Sequence, residues 1–399
     1  MQSIRHFIEM SRTYLDWASA APVSKAARRA FKKALRVEGN PSSPHAEGVR
    51  ARELLEDSRR IIARGVGCKP TGVIFTSGAT ESNNLALQGH VQALLASGRE
   101  PKTIHVLYLP TSHASIIDTV RALGGRGVQV EALRLRDGQI DLQSLSQQLR
   151  PETTLVCVDL VCGETGTRFA TRDVRRTVEA ARATLGTRAW IHVDASQGAY
   201  GESLDMNHLG ADLLTLDAQK VGGVRGIGAL VRAQNSVPLA PLLYGGGQEE
   251  GLRSGTQSPA LAAAFATALT EAQAGREQFS STARIQRERL ATQLLYELPQ
   301  VYVNGGSGGS PSILNLSLVG RDTDYLVALL SEAGFSVSTK SACETDEVGS
   351  RVVLAHTADP SRASSTLRIS WGPTTTNRDL HRFSVALIKT VRFQDIATG

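Results

Sequence analysis

From about residue 70 the chain alternates short, β-rich apolar runs with longer stretches of helical spacing. Val73-Ile74-Phe75-Thr76, Ile104-His105-Val106-Leu107-Tyr108, Leu155-Val156-Cys157-Val158-Asp159-Leu160, Trp190-Ile191-His192-Val193-Asp194 and Leu213-Leu214-Thr215-Leu216 read as strands, and Gly226-Ile227-Gly228-Ala229-Leu230-Val231 reads as a returning one. Segments such as 81–96 and 172–185 carry helical periodicity between them. Such alternation predicts an α/β layer around a mostly parallel sheet. In that architecture the loops at the strand C-termini converge on one crevice, where ligands bind. After about Gln257 the pattern changes to a long helical stretch, 259–298, and then to an α+β tail with Ile313-Leu314-Asn315-Leu316-Ser317-Leu318 and Leu367-Arg368-Ile369-Ser370. We therefore divide the chain into a large domain, 24–257, and a smaller one built from 1–23 and 258–399. Gly305-Gly306-Ser307-Gly308-Gly309-Ser310 reads as a flexible turn.

Bulk properties narrow the function. The 399 residues are 41% apolar and 21% charged, an ordinary soluble balance. No run approaches the eighteen apolar residues of a membrane span, and residues 1–10 lack the apolar core of a secretory signal. The cysteines, Cys68, Cys157, Cys162 and Cys343, show neither metal-ligand spacing nor a disulfide framework, so no metal is expected and a reducing cytoplasm fits. A net charge of +6 invites an acidic partner. The basic residues are dispersed, however, as in Arg28, Arg29, Lys32, Lys33 and Arg36 along one helix face, and nucleic acid is not expected as the main ligand.

Several strand ends carry reactive or charged groups. Ser77-Gly78-Ala79-Thr80-Glu81-Ser82-Asn83-Asn84 follows a strand and opens a helix; its free N–H groups suit an anion, and equally an ordinary N-cap. Asp194 ends a buried strand, where a carboxylate is costly without a partner. A protonated pyridine nitrogen would serve, with Gln197 reaching the ring's phenolic oxygen; a helix cap is the plainer alternative. His113 suits ring stacking and proton exchange, or a structural role. Lys220 ends the run Asp212–Gln219 just before the glycine-rich Gly222-Gly223-Val224-Arg225-Gly226, a setting for Schiff-base chemistry. Cys343, in Ser341-Ala342-Cys343-Glu344-Thr345-Asp346, lacks the apolar packing of a structural cysteine such as Cys157. Its acidic neighbours Glu344, Asp346 and Glu347 would raise the thiol pKa, so activation must come from elsewhere. Arg368 has the fork to grip a carboxylate, although alone it reads as a surface charge. Lys220 and Cys343 together suggest a pyridoxal-phosphate enzyme that hands an atom to a cysteine.

In order and spacing these segments resemble the NifS/IscS-like cysteine desulfurases, within the class V aminotransferase-type PLP enzymes of fold type I. The resemblance runs from Tyr14-Leu15-Asp16 to about Arg382 through Gly39-Asn40-Pro41-Ser42-Ser43, Phe75 to Ser82, His113, His192 to Gln197, Lys220, Arg253-Ser254-Gly255-Thr256, Ser341-Ala342-Cys343 and Arg368. It implies a mostly parallel seven-stranded sheet with a smaller α+β domain, and pyridoxal 5'-phosphate as cofactor. By resemblance Lys220 is the Schiff-base lysine, Asp194 pairs with the pyridine nitrogen, Gln197 contacts the phenolic oxygen and His113 stacks on the ring. Ala79, Thr80 and Gln219 belong to the phosphate site, and Thr256 reaches the cofactor phosphate of a neighbouring subunit in a homodimer with shared sites. Arg368, and more weakly Asn40, would bind the carboxylate of L-cysteine. Cys343 would accept the sulfur as a persulfide, in the manner of the group with a long mobile loop, and pass it to a carrier or scaffold protein.

The chain also departs from that family. Where Ser-x-His-Lys is usual it has Asp217-Ala218-Gln219-Lys220, and a carboxylate against a phosphate is repulsive unless protonated, paired or turned away. Arg225 is a possible partner for Asp217. A family asparagine at the phenolic oxygen is replaced by Gly163. Two other readings remain at this point: a related PLP lyase or aminotransferase acting on another amino acid, such as selenocysteine, with Cys343 incidental; and a non-catalytic scaffold for an acidic partner. The sulfur acceptor stays open among iron–sulfur scaffolds, tRNA thiolation, DNA sulfur modification and other carriers.

Overall fold

The computed structural model describes residues 12–233, 237–306, 308–339 and 349–398. Two units divide them: residues 21–162 with 168–276, and residues 1–20, 163–167 and 277–399.

The larger unit is built on a seven-stranded sheet. Its strands in chain order are β1 Val73–Thr76, β2 His105–Tyr108, β3 Gln129–Ala132, β4 Thr153–Asp159, β5 Trp190–Asp194, β6 Leu213–Asp217 and β7 Gly228–Arg232. Across the sheet they run β1-β7-β6-β5-β4-β2-β3, and only β7 is antiparallel to its neighbours. β1, β4, β6 and β7 are buried at every position. Uninterrupted apolar runs, rather than alternating ones, are what a parallel sheet covered on both faces requires. The edge strand β3 is the exception: Gln129 and Glu131 break its apolar pattern, so no hydrophobic run announces it. One face of the core joins Ile74, Val106, Leu155, Cys157, Leu213 and Leu230 to residues such as Leu85, Ile116 and Val120 on covering helices.

Those helices follow local signals. α1 (Lys25–Ala34) starts on Ser24, whose hydroxyl accepts from Ala27 N. α2 (Ala46–Val66) ends on Gly67, which has φ of 73°. The expected helix over 81–96 is α3 (Ala79–Asn84), a π turn at Leu85–Gly89 and α4 (His90–Ala96). α5 (Ala114–Gly124) begins at His113, and α6 (Thr171–Leu185) closes on Gly186 at φ of 67°. The long stretch after 258 is two helices, α7 (Pro259–Ala274) and α8 (Arg276–Glu297), separated at Gly275. α7 packs on α1 and α2, and its buried residues are mostly alanines, among them Ala260, Ala262, Ala264 and Ala266. It therefore belongs with the larger unit, whereas the sequence division at 257/258 sets it in the smaller one.

The smaller unit has an antiparallel sheet of β8 (Val301–Asn304), β9 (Ile313–Leu318) and β10 (Thr366–Ser370), in that order, with α9 (Thr323–Glu332) and α10 (Asn377–Thr398). Thr13–Tyr14 pairs in parallel with Phe335–Ser336. The two ends of the 305–310 turn are packed, whereas Gly306 and Gly308 face open space. A Cβ on Gly305 (φ 78°) would meet Thr165 O at 2.3 Å, and Ser310 N donates to Gly166 O at 2.6 Å. Among the described residues no helix is long and apolar enough to cross a membrane.

Buried imidazoles give this fold a pH dependence. Burial pushes the pKa of His90 down to about 4, and that of His192 equally despite the opposing pull of Asp194. The unfolded chain takes up protons at these sites from about pH 6.5 downward. Between there and about pH 4 it binds more protons than the folded chain, so stability falls with pH. Urea unfolding should show a lower midpoint at pH 5 than at pH 7, and His90→Gln should narrow that difference; equal midpoints at both pH values would contradict this account.

Candidate functional site

In the larger unit, the strands that run parallel bring their C-terminal ends to one edge of the sheet. β1 leads into Ser77-Gly78-Ala79, β2 toward His113, β5 ends on Asp194 and β6 on Asp217, with Lys220 three residues on. Asp194 is 7% exposed, and its register partners are Asp159 on β4 and Thr215 on β6. Its Oδ1 accepts from Ser196 N (2.9 Å) and Ser196 Oγ (2.6 Å), while Oδ2 accepts from Asn83 Nδ2 (2.8 Å). Asn83 Nδ2 also donates to Ser115 Oγ at 2.9 Å, and Ser115 Oγ lies 2.9 Å from His113 Nδ1. Ser115 N donates to that same Nδ1 at 3.1 Å, which leaves the proton of the neutral ring on Nε2. His113 is itself exposed, so its ring is open to a ligand while its orientation is fixed. A polar chain thus joins His113 to Asp194 through Ser115 and Asn83. Sequence reasoning assigned no role to Asn83, Ser115 or Ser196; Asn83 stands inside the run quoted for the anion cradle, but nothing local shows where its amide points.

Lys220 is half-buried at the end of a single turn, Ala218–Lys220, whose Gln219 carbonyl accepts from Ala21 N at 2.9 Å. Gln197 is likewise half-buried. Thr80 is exposed and Ala79 partly so. Asp217 is 5% exposed and accepts from Ala79 N (3.2 Å), Gln219 N (3.0 Å) and Gln219 Nε2 (3.3 Å). These are neutral N–H donors, and Arg225, considered from sequence as a partner, is not among them. The strand beyond is close: a Cβ on Gly228 would meet Gly78 Cα at 2.7 Å.

The loop carrying Thr256 is anchored by a buried ion pair. Glu249 accepts from Arg59 Nη1 (2.7 Å), Arg59 Nη2 (2.8 Å), Phe75 N (2.8 Å) and Gln257 Nε2 (3.0 Å). Arg253 Nε donates to Glu81 Oε1 at 2.9 Å, and Glu81 Oε2 accepts from Ser77 N at 2.7 Å. Burial alone would raise the Glu81 pKa, but the bonds from Arg253 and Ser77 together hold it below its ordinary value. Thr256 is exposed, as is Asn40, whose side chain accepts from Ser42 N at 2.9 Å.

In the smaller unit Arg368 is 3% exposed, so the bland expectation of a surface charge fails. It sits on β10, with Nη2 donating to Asp16 Oδ1 (2.8 Å) and Ser19 Oγ (2.6 Å) and Nη1 to Gly163 O (3.0 Å). Its buried Nε has no hydrogen-bond partner among the described residues. The guanidinium is thus fixed in orientation and paired with the Asp16 carboxylate. Gly163 contributes only backbone here. Cys343 lies outside the described residues. Of the other cysteines, burial pushes Cys68 up to about 11 and Cys157 higher still, as expected for unreactive thiols.

The residues fit pyridoxal phosphate at the ring end, where a buried carboxylate held by neutral donors awaits a positive partner beside a lysine-bearing turn. At the phosphate end Asp217 already occupies Ala79 N and Gln219.

Residues 13–383 match the aminotransferase class-V family model. The chain is 32% identical over 374 residues to cysteine desulfurase IscS 1 of Archaeoglobus fulgidus, a match covering 92% of this chain and 94% of that one. It is 33% identical over 374 residues to an IscS-like cysteine desulfurase of Mycobacterium tuberculosis, covering 92% and 93%. A solved structure described as a NifS-like protein matches with a TM-score of 0.87 at 26% identity, over 96% of this chain and 100% of that chain. The chain belongs to the aminotransferase class-V family. Within it, these two sequence relatives bear the name cysteine desulfurase.

The buried Glu249 anchor makes a stability prediction. Glu249→Ala leaves the Arg59 charge, Phe75 N and Gln257 without their acceptor, and should cost about 3–5 kcal/mol in chemical denaturation. A loss under about 1 kcal/mol would show that the loop is held some other way.

Proposed function

We propose that the protein is a pyridoxal-phosphate-dependent cysteine desulfurase that converts L-cysteine to L-alanine and loads the sulfur on Cys343. The observation that carries this reading is similarity over more than nine-tenths of the chain to proteins named cysteine desulfurase. The row His113, Asp194, Gln197 and Lys220 along one sheet edge supports it.

When bound, pyridoxal phosphate supplies an electron sink that loosens the Cα–H and Cβ–Sγ bonds of the amino acid. Lys220 Nζ would hold the cofactor covalently and would move the proton at the substrate Cα. The Asp194 carboxylate, fixed by Ser196 and Asn83, would keep a proton on the pyridine nitrogen. Gln197 would bind the phenolic oxygen, and His113, fixed through Nδ1, would stack on the ring and exchange protons at Nε2. Ala79, Thr80 and Gln219 would hold the phosphate, joined by Thr256 of a second subunit in a homodimer. Arg368 grips the substrate carboxylate, with Asn40 assisting. The Cys343 thiolate attacks the substrate Sγ; the Cβ–Sγ bond breaks, a Cys343 persulfide forms, and the three-carbon remainder takes up protons to become alanine. The persulfide then passes to an acceptor protein, for which the net positive charge favours an acidic surface. The free thiols of Cys68 and Cys157 suit a reducing compartment such as the cytoplasm.

Incubation with L-cysteine should place one persulfide on Cys343, detected by mass spectrometry after alkylation, with alanine released in step. Cys343→Ala should reduce sulfur transfer at least a hundredfold while leaving the cofactor's visible absorption unchanged, and Lys220→Ala should abolish that band. Alanine formation at the wild-type rate in Cys343→Ala would instead favour a lyase in which this cysteine takes no part.

A further inference from the structure

Asp217 ends β6 opposite Gly228 of the neighbouring strand, so its backbone is fixed by the sheet and only its side chain can turn. That side chain takes the N–H of Ala79 and both the N–H and the side-chain amide of Gln219. Ala79 and Gln219 are two of the positions assigned above to the cofactor phosphate. A phosphate monoester carries between one and two negative charges near neutral pH. It cannot share these donors at full strength with a carboxylate, and at such separations like charges repel. Among the described residues, no cation is a hydrogen-bond partner of Asp217 to offset the encounter.

We propose that Asp217 is an internal substitute for the cofactor phosphate: its carboxylate holds the cradle's donors in the unloaded chain and must rotate away as the phosphate arrives. It thereby sets a weak grip on the phosphate end and makes the cofactor exchangeable. The inference rests on the cofactor reading above, and concerns affinity rather than turnover.

The test compares the cofactor-stripped full chain with Asp217→Ser and with the isosteric Asp217→Asn. Each is titrated with pyridoxal phosphate and, separately, with pyridoxal, following the visible absorption band. Asp217→Ser should tighten pyridoxal phosphate at least tenfold, about the effect of one charge-assisted hydrogen bond. Asp217→Asn, which keeps the shape and loses the charge, should tighten it severalfold. Pyridoxal affinity should change less than twofold in both variants. Unchanged or weaker pyridoxal phosphate binding in both, or equal tightening of pyridoxal, would overturn the assignment. Absence of the absorption band with either ligand, in wild type and variants alike, would instead overturn the cofactor reading on which it rests.

Discussion

β4 and β6 are buried at every position, so their carboxylates are confined to the carboxyl edge of the sheet. Asp159, Asp194 and Asp217 each stand at the last residue of a strand. Each accepts hydrogen bonds from hydroxyl, amide or backbone donors: Asp159 from Ser112, Asp194 from Ser196 and Asn83, Asp217 from Ala79 and Gln219. Donors of this kind satisfy a carboxylate without neutralising it, which leaves a region of negative potential ready for a cationic ring nitrogen or a lysine. The close approach of Gly228 to Gly78 holds the Ser77–Ala79 loop against that edge.

Strands buried on both faces are legible in the sequence because their apolar runs are unmistakable. β3 is not, since Gln129 and Glu131 interrupt it and its only signal is pairing with β2. The helix over 81–96 was legible as apolar periodicity, but a π turn changes hydrogen-bond partners without disturbing that periodicity. Gly275 parts α7 from α8 even though the helical composition continues across it.

Site residues divide in a similar way. Those at strand ends, such as Asp194 and Lys220, could be placed from the strand alone. Arg368 could not: its burial comes from Asp16, Ser19 and Gly163, residues distant in the chain, and in isolation an arginine reads as exposed. Asp217 was visible as an intruder among phosphate ligands. Its partners were not, since a backbone N–H leaves no mark in a sequence. Asn83 shows the same limit, as an amide whose importance lies wholly in joining His113's helix to Asp194's strand.

The smaller unit draws on three separate stretches of chain, among them residues 13–14, which pair with 335–336, and residues 163–167, against which the 305–310 turn closes. During synthesis the first of these strands emerges hundreds of residues before its partner. The larger unit, complete by residue 276, can collapse around its sheet while the leading segment waits. The smaller unit is therefore the late-folding part of the molecule, delayed by long-range closure rather than by weak packing. Neither unit can be cut out as one contiguous fragment.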